Sequence, residues 1–475
     1  MSLSHSLTAA YSGLTASAKA ASIVAENMAN LRTPGYGRRE VLLSSSALGG
    51  GVMITGIQRH QSPIILAERR VAQAQTAGAE VQGGFLKSLE GWLGLPGTAG
   101  SLDSRINGFD SALIAAAADP GSEARLTNVL GAAQSLATQL RGISGQIQHA
   151  RSAADRSIAT DVGLLNDSLA QIEALNRDIL RLTSLRQDPS GLIDQRQAVA
   201  DRIAEVVPLR EVARPGGQIA LYSTGGAVLI DGRASVFGFE PAGQIVPGST
   251  GLSGLTLNGR TVGTGPGEVM RGGRLEASFA LRDEVAPKAQ IRLDALARDM
   301  MTRLEGVDRT VPHGAAGLFT DAGTAFDPAR EQGLAARIVV NAAADPGQGG
   351  ALWRLRAGLG ASAPGDSGAN GLLTALSSAL SEPRPTASGG YLPGQRSLAG
   401  VGSELVSAVA TSRLSVEAGA SQSAARQVAL EQLEAEGGVD TDQETQLLLT
   451  IERTYAANAR VIQAIEQMLD RLLEI

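Results

Sequence analysis

His5, His60, His149 and His313 are the side chains best suited to move protons or bind a metal near neutral pH, and they lie scattered along the chain. None has a second histidine or a carboxylate at a ligand spacing such as H-E-x-x-H, and neither a G-x-S-x-G elbow nor a G-x-x-x-x-G-K-[ST] loop occurs. The three lysines, Lys19, Lys87 and Lys288, follow no glycine-rich phosphate cradle. Gly263-Thr264-Gly265-Pro266-Gly267 comes nearest to a dinucleotide loop, but a proline sits inside it and no βαβ pattern surrounds it, so it reads as a plain loop. The chain has no cysteine, which removes disulfides, thiolate metal sites and thiol nucleophiles. Asp308, Asp321 and Asp327 remain, only by default, as candidates for a glycosidase acid and nucleophile, a pair whose separation in space a sequence does not reveal. The expectation is a protein that is not an enzyme, with no catalytic, cofactor-binding or metal-binding residues.

Residue spacing points instead to assembly. In alternating steps of three and four, the C-terminal stretch reads Leu448, Ile451, Tyr455, Asn458, Ile462, Ile465, Leu469 and Leu472. The N-terminal stretch reads Leu3, Leu7, Ala10, Leu14, Ser17, Ala21, Val24, Met28 and Leu31. A 3.5-residue period keeps such positions on one helix face and calls for a partner helix to cover them, so the two ends are expected to pair as a coiled coil. Leu447, Val461, Met468 and Ile475 form a second apolar line on the last helix, available to a neighbouring subunit. Asn458 either fixes register inside the seam or faces solvent after a slight helix rotation. Apolar burial in two lone helices falls short of the backbone entropy lost in ordering them, so the ends are expected to be largely disordered until subunits stack.

Aromatic residues make up only 3% of the 475 residues and glycines number 58, so the cores must be built from Ala, Leu, Val and Ile. The net charge of −6 is unevenly spread: residues 1–40 carry +2, while 401–475 hold 12 acidic and 5 basic side chains. Opposite signs either favour pairing of the terminal helices modestly or are ordinary solvated surface. No stretch is basic enough for nucleic acid, and no apolar run approaches the ~18 residues of a membrane span. The N-terminus does not read as a secretory signal, since nothing basic precedes its apolar part and Lys19 and Glu26 interrupt it.

The elements that carry these residues follow from their breakers. A first helix runs from Ser2 or Ser4 to Ala29, where Asn30 can cap it and Pro34-Gly35 suits a type II turn. Arg39 to Ile57 reads as extended, with a turn at Gly49, Gly50 and Gly51. Helices are expected at 63–90, 102–118, 122–150, 153–185 and 191–206, forming an elongated antiparallel bundle. From Pro208 to Val262 the period becomes two, and Asp231-Gly232 and Asn258-Gly259 each suit a two-residue hairpin turn. Helix returns from Gly273 to Glu305 with a kink or break at Pro287. A strand at Ala336–Asn341 and a helix at Asn370–Leu380 interrupt a Gly/Pro/Ala-rich stretch. Two long helices, from Gly402 to Glu436 and Asp440 to Leu473, close the chain. The fold class expected is α+β and mainly α. Its domains are 1–60 with 401–475 as a terminal coiled-coil assembly domain, 61–207 with 272–311 as the helical bundle, 208–271 as an antiparallel β domain, and 312–400 as an outer part of the bundle.

The stretch ENMANLRTPGYGRRE resembles the signature of bacterial flagellar axial proteins, the rod, hook and hook-associated subunits. Asn27, Ala29, Asn30, Thr33, Pro34, Gly35 and Tyr36 match it, whereas Glu26 and Gly37 depart from it. GLIDQRQAVADRIAEVV, with Asp194, Gln195 and Arg196, GGRLEASFALRDEVAP, and the last 38 residues from Gly438 are similar to hook-associated junction subunits in particular. The resemblance implies a structural subunit exported unfolded through the flagellar type III apparatus and ending in the extracellular flagellum after a cytoplasmic stage. It implies a homo-oligomeric ring between the hook protein and the second hook-associated protein, and a dedicated export chaperone on the C-terminal helix. Nucleic acid and membrane are not expected partners. The alternatives are a hook or distal-rod axial protein and, from another class, a flagellum-associated peptidoglycan hydrolase.

Overall fold

The computed structural model describes residues 3–33, 35–46 and 50–473, with the backbone alone at 472 and 473. Helix α1 (Leu3–Ala29) ends where the Asn30 backbone N–H and side-chain amide both donate to the Glu26 carbonyl, at 3.0 and 2.9 Å. The Tyr36 N–H closes the following turn on Thr33 O at 3.1 Å, with Gly35 at φ 78°, where a Cβ would be strained. Strands β1 (Arg38–Ser45) and β2 (Val52–His60) pair antiparallel, with an irregularity between Leu42 and Leu43. At the start of β2, the Val52 N–H donates to Ser12 Oγ and fastens the hairpin to α1. Pro34 and Gly49 lie outside the described residues.

The bundle begins with α2 (Pro63–Leu93), capped by Ser62 and opened by a proline whose missing N–H costs nothing at that position. Helices α3 (Leu102–Ala118), α4 (Glu123–Ser184) and α5 (Ser190–Val206) follow. Helix α4 runs unbroken through 150–153, where two separate helices were expected. Arg151 and Ser152 look like surface residues in sequence, yet both are buried: Arg151 Nε donates to Arg282 O, and Ser152 Oγ accepts the Ile245 N–H. At 1.5 Å per residue the 62-residue helix is about 93 Å long. Its first half packs a core with Phe85, Phe109 and Leu296, and its second half a core with Ile203, Leu221 and Leu275.

The β region comprises β3 (Leu209–Ala213), β4 (Ile219–Ser223), β5 (Val228–Asp231) and β6 (Arg233–Ala234) in one four-stranded sheet. Strands β7 (Phe237–Gly238), β8 (Leu255–Leu257) and β9 (Arg260–Val262) form a three-stranded one. Asn258 and Gly259, at φ 51° and 78°, make the expected two-residue turn. At the other hairpin Asp231 pairs directly with Arg233, leaving Gly232 alone at the tip instead of a two-residue turn.

Helix α6 (Gly273–Ala280) passes through one π turn (Leu281–Val285) into α7 (Ala286–Leu304). Pro287 was expected to kink or break this helix. The wide turn just before it, in which the Ala286 N–H reaches Leu281 O, accommodates the ring and the missing donor instead. Between 305 and 400 the elements are short: β10 (Phe319–Asp321), α8 (Leu334–Arg337), β11 (Ile338–Val340), α9 (Arg354–Ala357), α10 (Gly371–Ser381), β12 (Arg384–Pro385) and β13 (Gln395–Arg396). The strand expected at Ala336–Asn341 is thus a helical turn to Arg337 and only three extended residues. Phe319, Leu334, Ile338 and Leu373 enter the same core as Phe109.

Helix α11 (Leu398–Glu436) starts earlier than expected because Ser397 Oγ accepts the Gly400 N–H, and it packs along α2. Helix α12 (Thr441–Leu473) is capped by Asp440, whose Oδ1 accepts the Asp442 and Gln443 N–H groups, and it packs antiparallel along α1. Within one chain the two terminal helices pair, held by a charged joint and a hairpin as well as by apolar burial.

Candidate functional site

The site is the joint where α1, the hairpin, the start of α12 and the start of α5 converge. Its centre is Asn27, fully buried on the last turn of α1. Asn27 Nδ2 donates to Glu444 Oε2 at 3.2 Å and to Arg39 O at 2.9 Å. Asn27 Oδ1 accepts the Arg39 N–H at 3.0 Å and the Tyr36 hydroxyl at 2.8 Å. Both amide hydrogens and both lone pairs are used.

Successive side chains of β1 point to opposite faces, so Arg38 and Arg39 serve different partners. Arg38 Nε donates to Glu444 Oε1 at 2.7 Å, and the Glu444 side chain is 0% exposed. Arg39 reaches Glu26 at 3.1 Å and Asp194 on α5, and its guanidinium carbon lies 4.7 Å from the Tyr36 ring centroid. Asp194 Oδ1 also accepts Arg59 Nε at 2.8 Å. Burial opposes the Arg39 charge, but the hydrogen bond and charge of Asp194 overcome it and raise its pKa. Burial likewise pushes the Tyr36 hydroxyl up to about 12, with the Arg39 charge pulling the other way.

A second tier extends the joint into the bundle. Glu434 accepts Gln61 Nε2 at 3.1 Å and pairs with Arg69 at 2.8 Å. Asp201 binds Arg69 and Arg70 at 2.7 and 2.8 Å. The arrangement offers cross-links between segments remote in sequence rather than a reacting centre.

The motif residues identified in the sequence divide into three groups. Asn27, Tyr36 and Asp194 meet at the joint. Asn30, Thr33 and Gly35 shape the turn that delivers Tyr36 to it, with Thr33 Oγ1 donating to Asn30 Oδ1 at 3.1 Å. Gln195 is exposed, and Arg196 points elsewhere: buried, it donates to Asn176 Oδ1 at 2.8 Å and Gly217 O at 2.7 Å, and burial depresses its pKa to about 10. Sequence reasoning missed Arg38, Arg59 and Glu444. The signal available for Glu444 was its place four residues before Leu448, a carboxylate at a position that continues the apolar seam.

Along the helix pair, Val24 of α1 and Ile451 and Ile465 of α12 are buried, while Leu3, Leu14, Asn458 and Ile462 are half-buried. Leu7, Met28, Leu448, Tyr455 and Leu469 remain exposed, as do Leu447, Val461 and Met468 of the second line. The side chains of Leu472 and Ile475 lie outside the described residues. Asn458 faces α1: a Cβ on Gly13 would stand 2.6 Å from its Nδ2, so a larger residue at 13 displaces the amide.

The default carboxylates are committed to structure. Asp308 accepts the N–H groups of Thr310 and Leu359, Asp321 pairs with Arg337, and Asp327 caps the Ala329 N–H. They share no common site in these contacts. Among the described residues no group of three or more His, Asp or Glu could hold a metal ion, and no helix is long and apolar enough to cross a membrane.

Residues 86–310 match the family model of the flagellar hook-associated protein FlgK helical domain, and 436–475 match that of the flagellar basal body rod FlgEFG protein C-terminal region. Flagellar hook-associated protein 1 of Salmonella typhimurium is 26% identical over 242 residues, covering 48% of this chain and 43% of that protein. Its counterpart in Escherichia coli K12 is 24% identical (48% and 44% covered), and that of Bacillus subtilis 25% (47% and 47% covered). The matched stretch thus spans less than half the length of each relative. The flagellar hook junction protein FlgK from Burkholderia pseudomallei superposes with a TM-score of 0.45 at 19% identity, covering 54% of this chain and 47% of that one, too loosely to add to the argument. At the helical bundle the chain is thus similar in sequence to flagellar hook-associated protein 1, and over residues 436–475 to the C-terminal region of flagellar basal body rod proteins.

Proposed function

We propose that this chain is a structural, non-catalytic subunit of the bacterial flagellum, forming the junction between hook and filament. The observation that carries the reading is the pairing of α1 with α12 around Asn27 and Glu444, which leaves an apolar face of α12 uncovered beside a bundle of junction-protein type. Leu447, Val461 and Met468 supply that face, and Leu448, Tyr455 and Leu469 lie at the exposed margin of the seam that faces α1. Leu3, Leu7, Leu14, Val24, Met28, Ile451, Asn458, Ile462, Ile465 and Leu472 complete the assembly surface. Copies of the chain stack through these helices into a ring, with the hook protein on one side and the second hook-associated protein on the other. Before export from the cytoplasm a chaperone covers α12; after export the subunit is extracellular. The domains follow the division of 1–60 with 401–475, 61–207 with 272–311, 208–271, and 312–400.

Deletion of the gene followed by electron microscopy tests this. Hooks without filaments and flagellin shed into the medium are expected. Missing hooks would favour the second reading, a hook or distal-rod subunit, which the match of 436–475 to a rod-protein model supports.

A further inference from the structure

Glu444 on α12 and Asp194 on α5 are bound by neighbouring residues of one strand. Arg38 holds Glu444, Arg39 holds Asp194, and Asn27 grips the Arg39 backbone at both its N–H and its carbonyl while donating to Glu444. Because Asn27 is fully buried and all four of its hydrogen-bonding positions are filled, withdrawal of Glu444 strands a buried amide hydrogen and leaves Arg38 only its longer contact with Glu40, at 3.8 Å. The amide can recover a partner only by turning, and turning releases the Arg39 backbone on the strand that docks against α5.

We infer that the seating of α12 on α1 and the docking of the hairpin on α5 are a single coupled event, relayed from Glu444 through Asn27 and Arg39 to Asp194. Anything that peels the start of α12 from α1 then also frees the terminal pair from the bundle, whereas a partner covering only the outer face of α12 does not. Asn27 and Arg39 act as positioning residues in this relay. The inference concerns the chain alone and holds whether or not the junction reading does.

Hydrogen exchange on the full-length chain tests the coupling. Glu444→Ala and Asn27→Ala should each speed amide exchange about tenfold or more at 38–60 and at the first turn of α5, 190–196. Glu444→Gln keeps an acceptor oxygen and should speed both regions by a smaller but parallel factor. Leu448→Ala, at an exposed position one turn further along α12, should change neither, and amides at 126–147 report whether the bundle stays folded. The relay is overturned if Glu444→Gln or Glu444→Ala loosens α12 while 190–196 exchanges as in the unsubstituted chain. It is equally overturned if 38–60 is unprotected before any substitution.

Discussion

Arg38 and Glu444 are 406 positions apart in sequence, and their side chains meet at 2.7 Å with the carboxylate wholly shielded from water. A buried ion pair gives little net stability over a matched apolar pair, but removal of one partner leaves an uncompensated charge in the interior. The pair therefore acts as a specifier of register: only one alignment of α12 on α1 brings Glu444 to both Arg38 and Asn27.

From this it follows that Glu444→Ala should destabilise the terminal pair by about 3–5 kcal/mol. The double replacement Arg38→Met with Glu444→Leu should recover most of that loss. Urea titration of the full chain, followed by a spectroscopic probe placed on α12, measures both; the absence of cysteine allows one to be introduced for labelling without interference.

Gly13 and Asn458 lock the same register by shape. Gly13→Leu should overpack the contact and cost about 1–3 kcal/mol. Gly13→Ala combined with Asn458→Ala should instead be more stable than Asn458→Ala alone by about 1 kcal/mol, because alanine restores helix propensity where the amide no longer intrudes. Thermal melts of the three variants check the sign.

Tyr36→Phe removes the hydroxyl that fills one lone pair of Asn27 and should cost about 1 kcal/mol. Its raised pKa carries a second expectation. The unfolded chain ionises near pH 10 while the folded one holds its proton to about 12, so stability should fall across that interval. Phenylalanine at this position should flatten the fall, as measured by denaturant midpoints between pH 9 and 12.

Asp294 supplies an acid-range counterpart within the bundle. Its carboxylate accepts the Gly333 and Ala335 N–H groups and Gln290 Nε2, yet burial outweighs these bonds and lifts its pKa from 3.8 to about 6. The folded state thus keeps the proton after the unfolded chain has released it. The resulting stability is complete below about pH 4 and lost as the pH rises through about 6, amounting to roughly 2–3 kcal/mol. Asp294→Asn should abolish this slope in denaturation curves recorded from pH 4 to 7.

The legible parts of the molecule were those where spacing reports a single face. The long helices and the Asn258-Gly259 turn follow directly from periodicity and turn chemistry. Arg151, Ser152 and Glu444 were opaque for one shared reason: polar side chains read as surface unless their partners are known, and those partners lie 93 to 417 residues away. Asp194 and Arg196 were noticed through resemblance alone. Two positions apart in sequence and on different faces of α5, they serve the terminal joint and the β region respectively. Where α4 was expected to break, Arg151 instead runs on in the helix, held by the carbonyls of Arg282 and Val246.

Assembly into the flagellum rests most directly on the uncovered face of α12. Leu447→Ser, Val461→Ser and Met468→Ser together replace the exposed apolar groups of the second line without touching Glu444, Ile451 or Ile465. In a strain lacking the native gene, the triple variant should be folded and exported, its circular dichroism unchanged, yet fail to restore filaments on hooks. Normal filaments built on that variant would contradict the claim that this face makes the contact between subunits.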